Sequence, residues 1–234
     1  MSNPTLLFVH GAWHGSWCWE PVTSRLTERG WRVQTIDLPT VHADNKADLG
    51  MFDDANAVSD AIEAIEGPVV VVAHSYGGVP TTQGADLPNV QHIVYVAAFA
   101  LGEGQSLFGA VGGVEPDWWN VDGPLVTPGN DEQPPRALFF HDAPDDVAAD
   151  AESRLTSMAT QAVHDELTTA AWRNRPTTFV IAENDAIFPL AAQQGLASAI
   201  GANPITLTTS HSPFLSQPKR LAEIIVEAAT GVDR

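Results

Sequence analysis

The chain has 234 residues, 44% of them hydrophobic, which is one domain's length and enough to bury a core without disulfides or metals. Eleven Lys and Arg stand against 29 Asp and Glu, a formal charge of −18 that repels phosphate backbones and anionic lipid, so neither nucleic acid nor a membrane surface is expected as a partner. The single cysteine, Cys18, has no partner for a disulfide or a thiolate metal site and reads as a small hydrophobe.

From the N-terminus, no basic leader precedes the short apolar run Thr5–Val9, and no stretch approaches the roughly 18 apolar residues of a membrane helix. A soluble, cytoplasmic protein is the expectation. Thr5–Val9 is apolar on both faces, as a buried parallel strand is, and His10-Gly11-Ala12-Trp13-His14-Gly15 follows it. A glycine-containing loop at a strand's carboxyl end can aim a backbone N–H at a developing oxyanion. The two glycines make it a loop, and no carboxylate lies nearby in sequence, so His10 and His14 read as braces of the loop and not as metal ligands. A helix around Val22–Glu28, stopped at Gly30, leads to a second strand, Val33–Leu38. Phe52, Ala55, Val58, Ile62 and Ile65 then recur at helical spacing.

The strongest signal comes next. The strand Pro68–Ala73 runs into His74-Ser75-Tyr76-Gly77-Gly78, which approximates G-x-S-x-G with Ala73 in the first glycine's place. A serine that presents its Oγ at the end of a strand sits on a sharp, strained turn whose flanks leave room only for small residues. The N–H of Tyr76, just after the serine, is placed to be an oxyanion donor.

A fourth strand, Ile93–Ala98, precedes residues 102–175, where the strand–helix rhythm breaks. That segment is rich in Gly and Pro, then patterned as helix at Val147, Ala151, Leu155 and Met158 and over 161–172. It is too long for a simple crossover, so it reads as a helical cap inserted into a core of residues 1–101 and 176–234. Phe108, Trp118, Trp119, Leu138, Phe139 and Met158, with Trp13 from the first loop, are candidates to wall an apolar pocket over Ser75. Adjacent residues of a regular element face opposite ways, so at most one of Trp118 and Trp119 is expected to line it.

Strand Thr178–Ala182 leads to Glu183-Asn184-Asp185, and strand Pro204–Thr208 to Thr209-Ser210-His211-Ser212. Serine, acid and histidine thus follow in chain order, each after a strand. Asp185 is preferred to Glu183 because Ala186-Ile187-Phe188-Pro189 turns the chain back into the structure. His42, His92, His141 and His164 do not follow the last strand, and His74 reads as packing. A helix with Pro218 in its first turn carries Leu221, Ile224, Ile225 and Ala228 on one face. The alternation predicts an α/β fold with a mostly parallel sheet of about six strands flanked by helices.

These motifs, His10 to Trp17, Ala73 to Gly78, Glu183 to Pro189 and His211 to Leu215, resemble the α/β-hydrolase superfamily. More narrowly, they are similar to the branch of plant methylesterases, hydroxynitrile lyases and their bacterial esterase homologues. The resemblance is specific at both ends of the chain and much weaker across 102–175. It implies Ser75 as nucleophile, His211 as base, Asp185 as acid, oxyanion donors at Ala12 and Tyr76, and no cofactor. Lyases of the branch carry Thr and Lys where this chain has Gly11 and Ser212, which argues against lyase chemistry. A serine at the elbow argues against dehalogenases and epoxide hydrolases. The expectation is a hydrolase of small, fairly apolar carboxylic esters, as a monomer or homodimer. Cleavage of a lactone, amide or carbon–carbon bond, or ligand binding without turnover, uses the same residues.

Overall fold

The computed structural model describes residues 3–231. In chain order, β1 (Thr5–Val9), α1 (Glu20–Glu28), β2 (Val33–Ile36), α2 (Pro39–His42), α3 (Met51–Glu63), β3 (Val69–His74), α4 (Gly78–Gly84) and β4 (Val90–Val96) build the first half. The intervening segment carries α5 (Leu107–Ala110), β5 (Trp119–Asp122), β6 (Leu125–Pro128), α6 (Pro135–Phe139), α7 (Asp145–Ser153), β7 (Met158–Ala159) and α8 (Gln161–His164). The chain closes with β8 (Thr177–Ala182), α9 (Leu190–Ala199), β9 (Asn203–Leu207), α10 (Pro213–Ser216) and α11 (Pro218–Thr230).

Six strands form one parallel sheet in the order β2-β1-β3-β4-β8-β9. β1, β3 and β8 are buried along their whole lengths, which is why they read as unbroken apolar runs, whereas the edge strands β2 and β9 are half exposed. Consecutive parallel pairs put every carboxyl end on one side of the sheet, where β1, β3, β8 and β9 release the four loops singled out above.

α3 faces the core with Met51, Asp54, Ala55, Val58, Ala61 and Ile62, so Phe52 is turned outward and a carboxylate takes a place on the buried stripe. In α11 the buried face is Leu221, Ala222, Ile224 and Ile225. α1 closes at Gly30, where Gly30 N–H bonds Thr27 O and Trp31 N–H bonds Leu26 O.

Residues 102–175 are helical only in part. α7 stops at Ser153, Met158 pairs in β7 with Val126, and the helix expected over 161–172 ends at His164. A three-stranded antiparallel sheet, β5-β6-β7, fills the gap. The segment is fastened at its base: Thr156 N–H bonds Trp13 O at 3.0 Å, Lys46 Nζ reaches Ser157 O at 3.0 Å, and Met51 N–H bonds the Asp165 carboxylate at 2.8 Å.

Phe179 sits in β8 with no solvent exposure, its ring stacked on Tyr95 at 6.2 Å. Phe179→Ala is expected to lower the unfolding free energy by about 3–5 kcal/mol in urea titrations, from lost transfer energy and the cavity left behind.

Candidate active site

Ser75 directly follows β3 with φ +50, a left-handed conformation that non-glycine residues rarely adopt, and it is almost completely buried. Close packing holds it there. Phe99 N–H bonds Ser75 O at 3.1 Å. A side chain at Gly77 would lie 2.3 Å from His10 O, and one at Gly11 would lie 2.9 Å from the Ser75 Cβ and 2.7 Å from His74 Nδ1. Glycine at 11 and 77 therefore lets the loop after β1 close directly over the serine.

That loop is braced by imidazoles, as expected of His10 and His14. His10 donates from Nδ1 to Gly11 O at 2.7 Å and accepts Leu38 N–H on Nε2 at 3.0 Å. His14 donates from Nδ1 to Ala12 O at 2.7 Å. His42, expected as a surface or hydrogen-bonded residue, donates from Nε2 to His14 O at 2.9 Å. Trp13 has φ +63 and bonds Val126 O through its indole N–H at 3.0 Å, tying the loop to β6. Burial lowers His10 to about 4, outweighing the pull of Asp37 at 3.9 Å, and His14 to about 3, so both rings are neutral near pH 7. His10, Asp37 and His42 form a trio with metal-ligand spacing, yet the nitrogens facing Asp37 already bond Leu38 N–H and His14 O, so the trio acts as a brace.

Of the two acids after β8, Asp185 meets His211. Asp185 Oδ2 accepts His211 Nδ1–H at 2.6 Å, both side chains fully buried, while Glu183 turns to the Thr208 hydroxyl. Asp185 Oδ1 accepts the N–H groups of Ile187 and Phe188, each at 2.9 Å. Gln193, absent from the sequence reading, cinches this turn through Ala182 N–H and O and Phe188 O. His211 is held against the elbow: its carbonyl accepts His74 Nε2–H at 2.9 Å, and the two rings lie 4.7 Å apart. Ser210 secures the same loop from the far side, its N–H on Asp142 and its hydroxyl on Phe139 O.

A cavity of about 500 Å³ opens over Ser75, lined by Ala12, Trp13 and Tyr76, by Leu107, Val111, Trp118 and Trp119 from the segment 102–175, and by Phe99, Ile187 and Phe188. No charged side chain among the described residues lines it. Three corrections follow. Trp118 and Trp119 both line it, because Trp118 lies in the turn before β5 and is free of the alternation that β5 imposes on Trp119; their rings meet edge to face at 6.0 Å. Phe139 stands behind the wall, its ring against Trp13, Trp118 and His211. Phe108 packs on His164 instead, and Leu138 and Met158 are buried away from the lining.

A family model for the alpha/beta hydrolase family matches residues 6–224. The chain belongs to that family. It is 27% identical to an alpha/beta hydrolase of Aspergillus novofumigatus over 98% of both chains. It is 36% identical to a methylesterase of Arabidopsis thaliana over 40% of this chain and 39% of the relative. The fold is shared with a pyrethroid hydrolase from Sphingobium faniae, at a TM-score of 0.85 and 24% identity over 98% of both chains. This alpha/beta hydrolase is an enzyme, and part of it is similar to methylesterases, the likeness its motifs implied. No helix among its described residues is long and apolar enough to cross a membrane.

The neutral imidazoles set a pH dependence. Unfolded, His10 and His14 take up protons near pH 6.5, whereas in the fold they stay neutral to about 4 and 3. Below pH 6.5 the unfolded chain binds more protons, so stability falls with pH, by up to about 1.4 kcal/mol per unit for each ring. His74, also lowered by burial, adds to the fall. Buried Asp54, raised by desolvation to about 6, opposes it between roughly pH 6 and 4. Urea midpoints are expected to drop from pH 7 to pH 5; a flat profile would contradict neutral, buried rings.

Proposed function

We propose that this hydrolase is a serine carboxylesterase acting on small, uncharged esters. The observation that carries the reading is the fully buried Asp185–His211 hydrogen bond, packed against the strained turn of Ser75 beneath an apolar cavity. In this reading His211 takes the Ser75 proton as Oγ attacks the ester carbonyl, and the oxyanion is met by the N–H groups of Ala12 and Tyr76. His211 then returns the proton to the departing alcohol, leaving an acyl group on Ser75. Water, deprotonated by His211, attacks that acyl group and releases the acid. Asp185 holds the imidazole in the tautomer this needs and stabilises its charged form.

The cavity supports an uncharged substrate, because it offers aromatic and aliphatic walls without a cation for a carboxylate, and its volume suits a small molecule. The name of the methylesterase relative agrees with a small alcohol part. Residues 102–175 act as a lid over the core of 1–101 and 176–234, and through Leu107, Val111, Trp118 and Trp119 they select the acyl part.

Initial rates on p-nitrophenyl acetate, butyrate, octanoate and palmitate test the reading. Turnover is expected to fade with chain length. Ser75→Ala and His211→Ala are expected to lower it at least about 10³-fold, and Asp185→Asn by about 10³- to 10⁴-fold, with folded CD spectra. A few per cent of activity surviving in Ser75→Ala would refute the assignment.

A further inference from the structure

Asp54 is a buried carboxylate on the inner stripe of α3 that the proposed chemistry leaves unused. Its Oδ1 accepts Thr40 N–H at 2.9 Å, and its Oδ2 accepts the Thr40 hydroxyl at 2.6 Å and the Tyr76 phenol at 2.7 Å. A carboxylate only accepts, so three donors on two oxygens satisfy the ionised form without a cation. Burial raises this carboxyl to about 6, and the three hydrogen bonds act against that rise.

Its partners lead to both sides of the site. Tyr76 follows Ser75 and lines the cavity. Thr40 lies two residues after Leu38, whose N–H bonds His10 Nε2, and His10 opens the loop that carries Ala12. Both backbone stretches assigned to the oxyanion therefore end on one carboxylate, directly through the Tyr76 phenol and indirectly through Thr40, Leu38 and His10.

We propose that Asp54 is a positioning residue of the oxyanion hole, aiming the N–H groups of Tyr76 and Ala12 by anchoring the Tyr76 phenol and Thr40. The proposal rests on the reading of Ser75 as nucleophile. It makes Asp54 matter to the transition state more than to the bound ester, because an oxyanion donor tightens only as charge develops.

The test compares Asp54→Asn and Tyr76→Phe with the unaltered enzyme on p-nitrophenyl butyrate, each normalised to sites titrated with a fluorophosphonate. A trifluoromethyl ketone analogue of the butyryl ester is the second probe, because its adduct with Ser75 carries an oxyanion. Removing a whole donor costs about 10²- to 10³-fold, so a misaimed one is expected to lower kcat about 10- to 100-fold. KM should stay within about threefold, the ketone's Ki should weaken by the same factor as kcat/KM, and the double variant should be little worse than either single one. Wild-type kcat and Ki in both variants, with only a lowered Tm, would reduce Asp54 to a structural role and overturn the proposal. Should Asp54→Asn fail to fold, Tyr76→Phe alone decides between these outcomes. Ser75→Ala run alongside separates the two failures: if it keeps turnover, the nucleophile assignment falls and this proposal with it.

Discussion

The backbone of Ser75 stands at φ +50, a conformation that costs an L-residue about 1–2 kcal/mol, and the molecule is arranged so that the chain has no easier path there. β3 is pinned on both sides, Val9 opposite Ala73 and His74 opposite Val96, up to the residue before the serine. Beyond it, Gly77 lies against His10 O and Gly78 against Phe99 O and N, so the elbow turns within contact distance of two neighbouring loops. Sheet pairing and close packing hold the strain. What they gain is a hydroxyl at the floor of a cavity, with the first turn of a helix directly behind it.

A second constraint is electrical. The chain carries a formal charge of −18, while no charged side chain among the described residues lines the cavity. Behind that wall the polar groups are paired or kept neutral: His10 and His14 brace the first loop uncharged, and Asp185 with His211 makes a hydrogen-bonded pair at 2.6 Å. Fixed dipoles in such surroundings act more strongly than they would in water and need no reorganisation when charge develops. The same arrangement makes the fold sensitive to acid, since each neutral imidazole is a proton the unfolded chain would accept.

Much of the core was legible because its strands are buried on both faces, and Val69 to Val72 could hardly be anything else. The loops carrying Ser75 and Asp185 were legible for a related reason, since each follows such a strand, whereas His211 follows the half-exposed edge strand β9 and was read from its order in the chain. The rest failed where tertiary packing overrides local pattern. Phe52 fits the helical spacing of α3, yet Asp54 takes the inner face because Tyr76 and Thr40 supply its donors, and no local signal encodes partners so distant in sequence. Gln193 was invisible likewise, being polar in a helix and recognisable only from the turn it cinches. The sheet of the inserted segment did leave a trace. Asp122-Gly123 between Trp119–Val121 and Leu125–Thr127 is a hairpin signal that the helical reading of residues 102–175 took no account of. Phe108 and Phe139 show that aromatic content marks a packed segment without saying which rings face the cavity.

The central claim is that Ser75 becomes covalently bonded in the course of reaction. The most direct measurement is peptide mapping by mass spectrometry after a fluorophosphonate probe reacts with the native enzyme and with His211→Ala. The account predicts one adduct per chain, on Ser75, with labelling strongly slowed when the imidazole is removed. An adduct elsewhere, or labelling of Ser75 that is indifferent to His211, would contradict it.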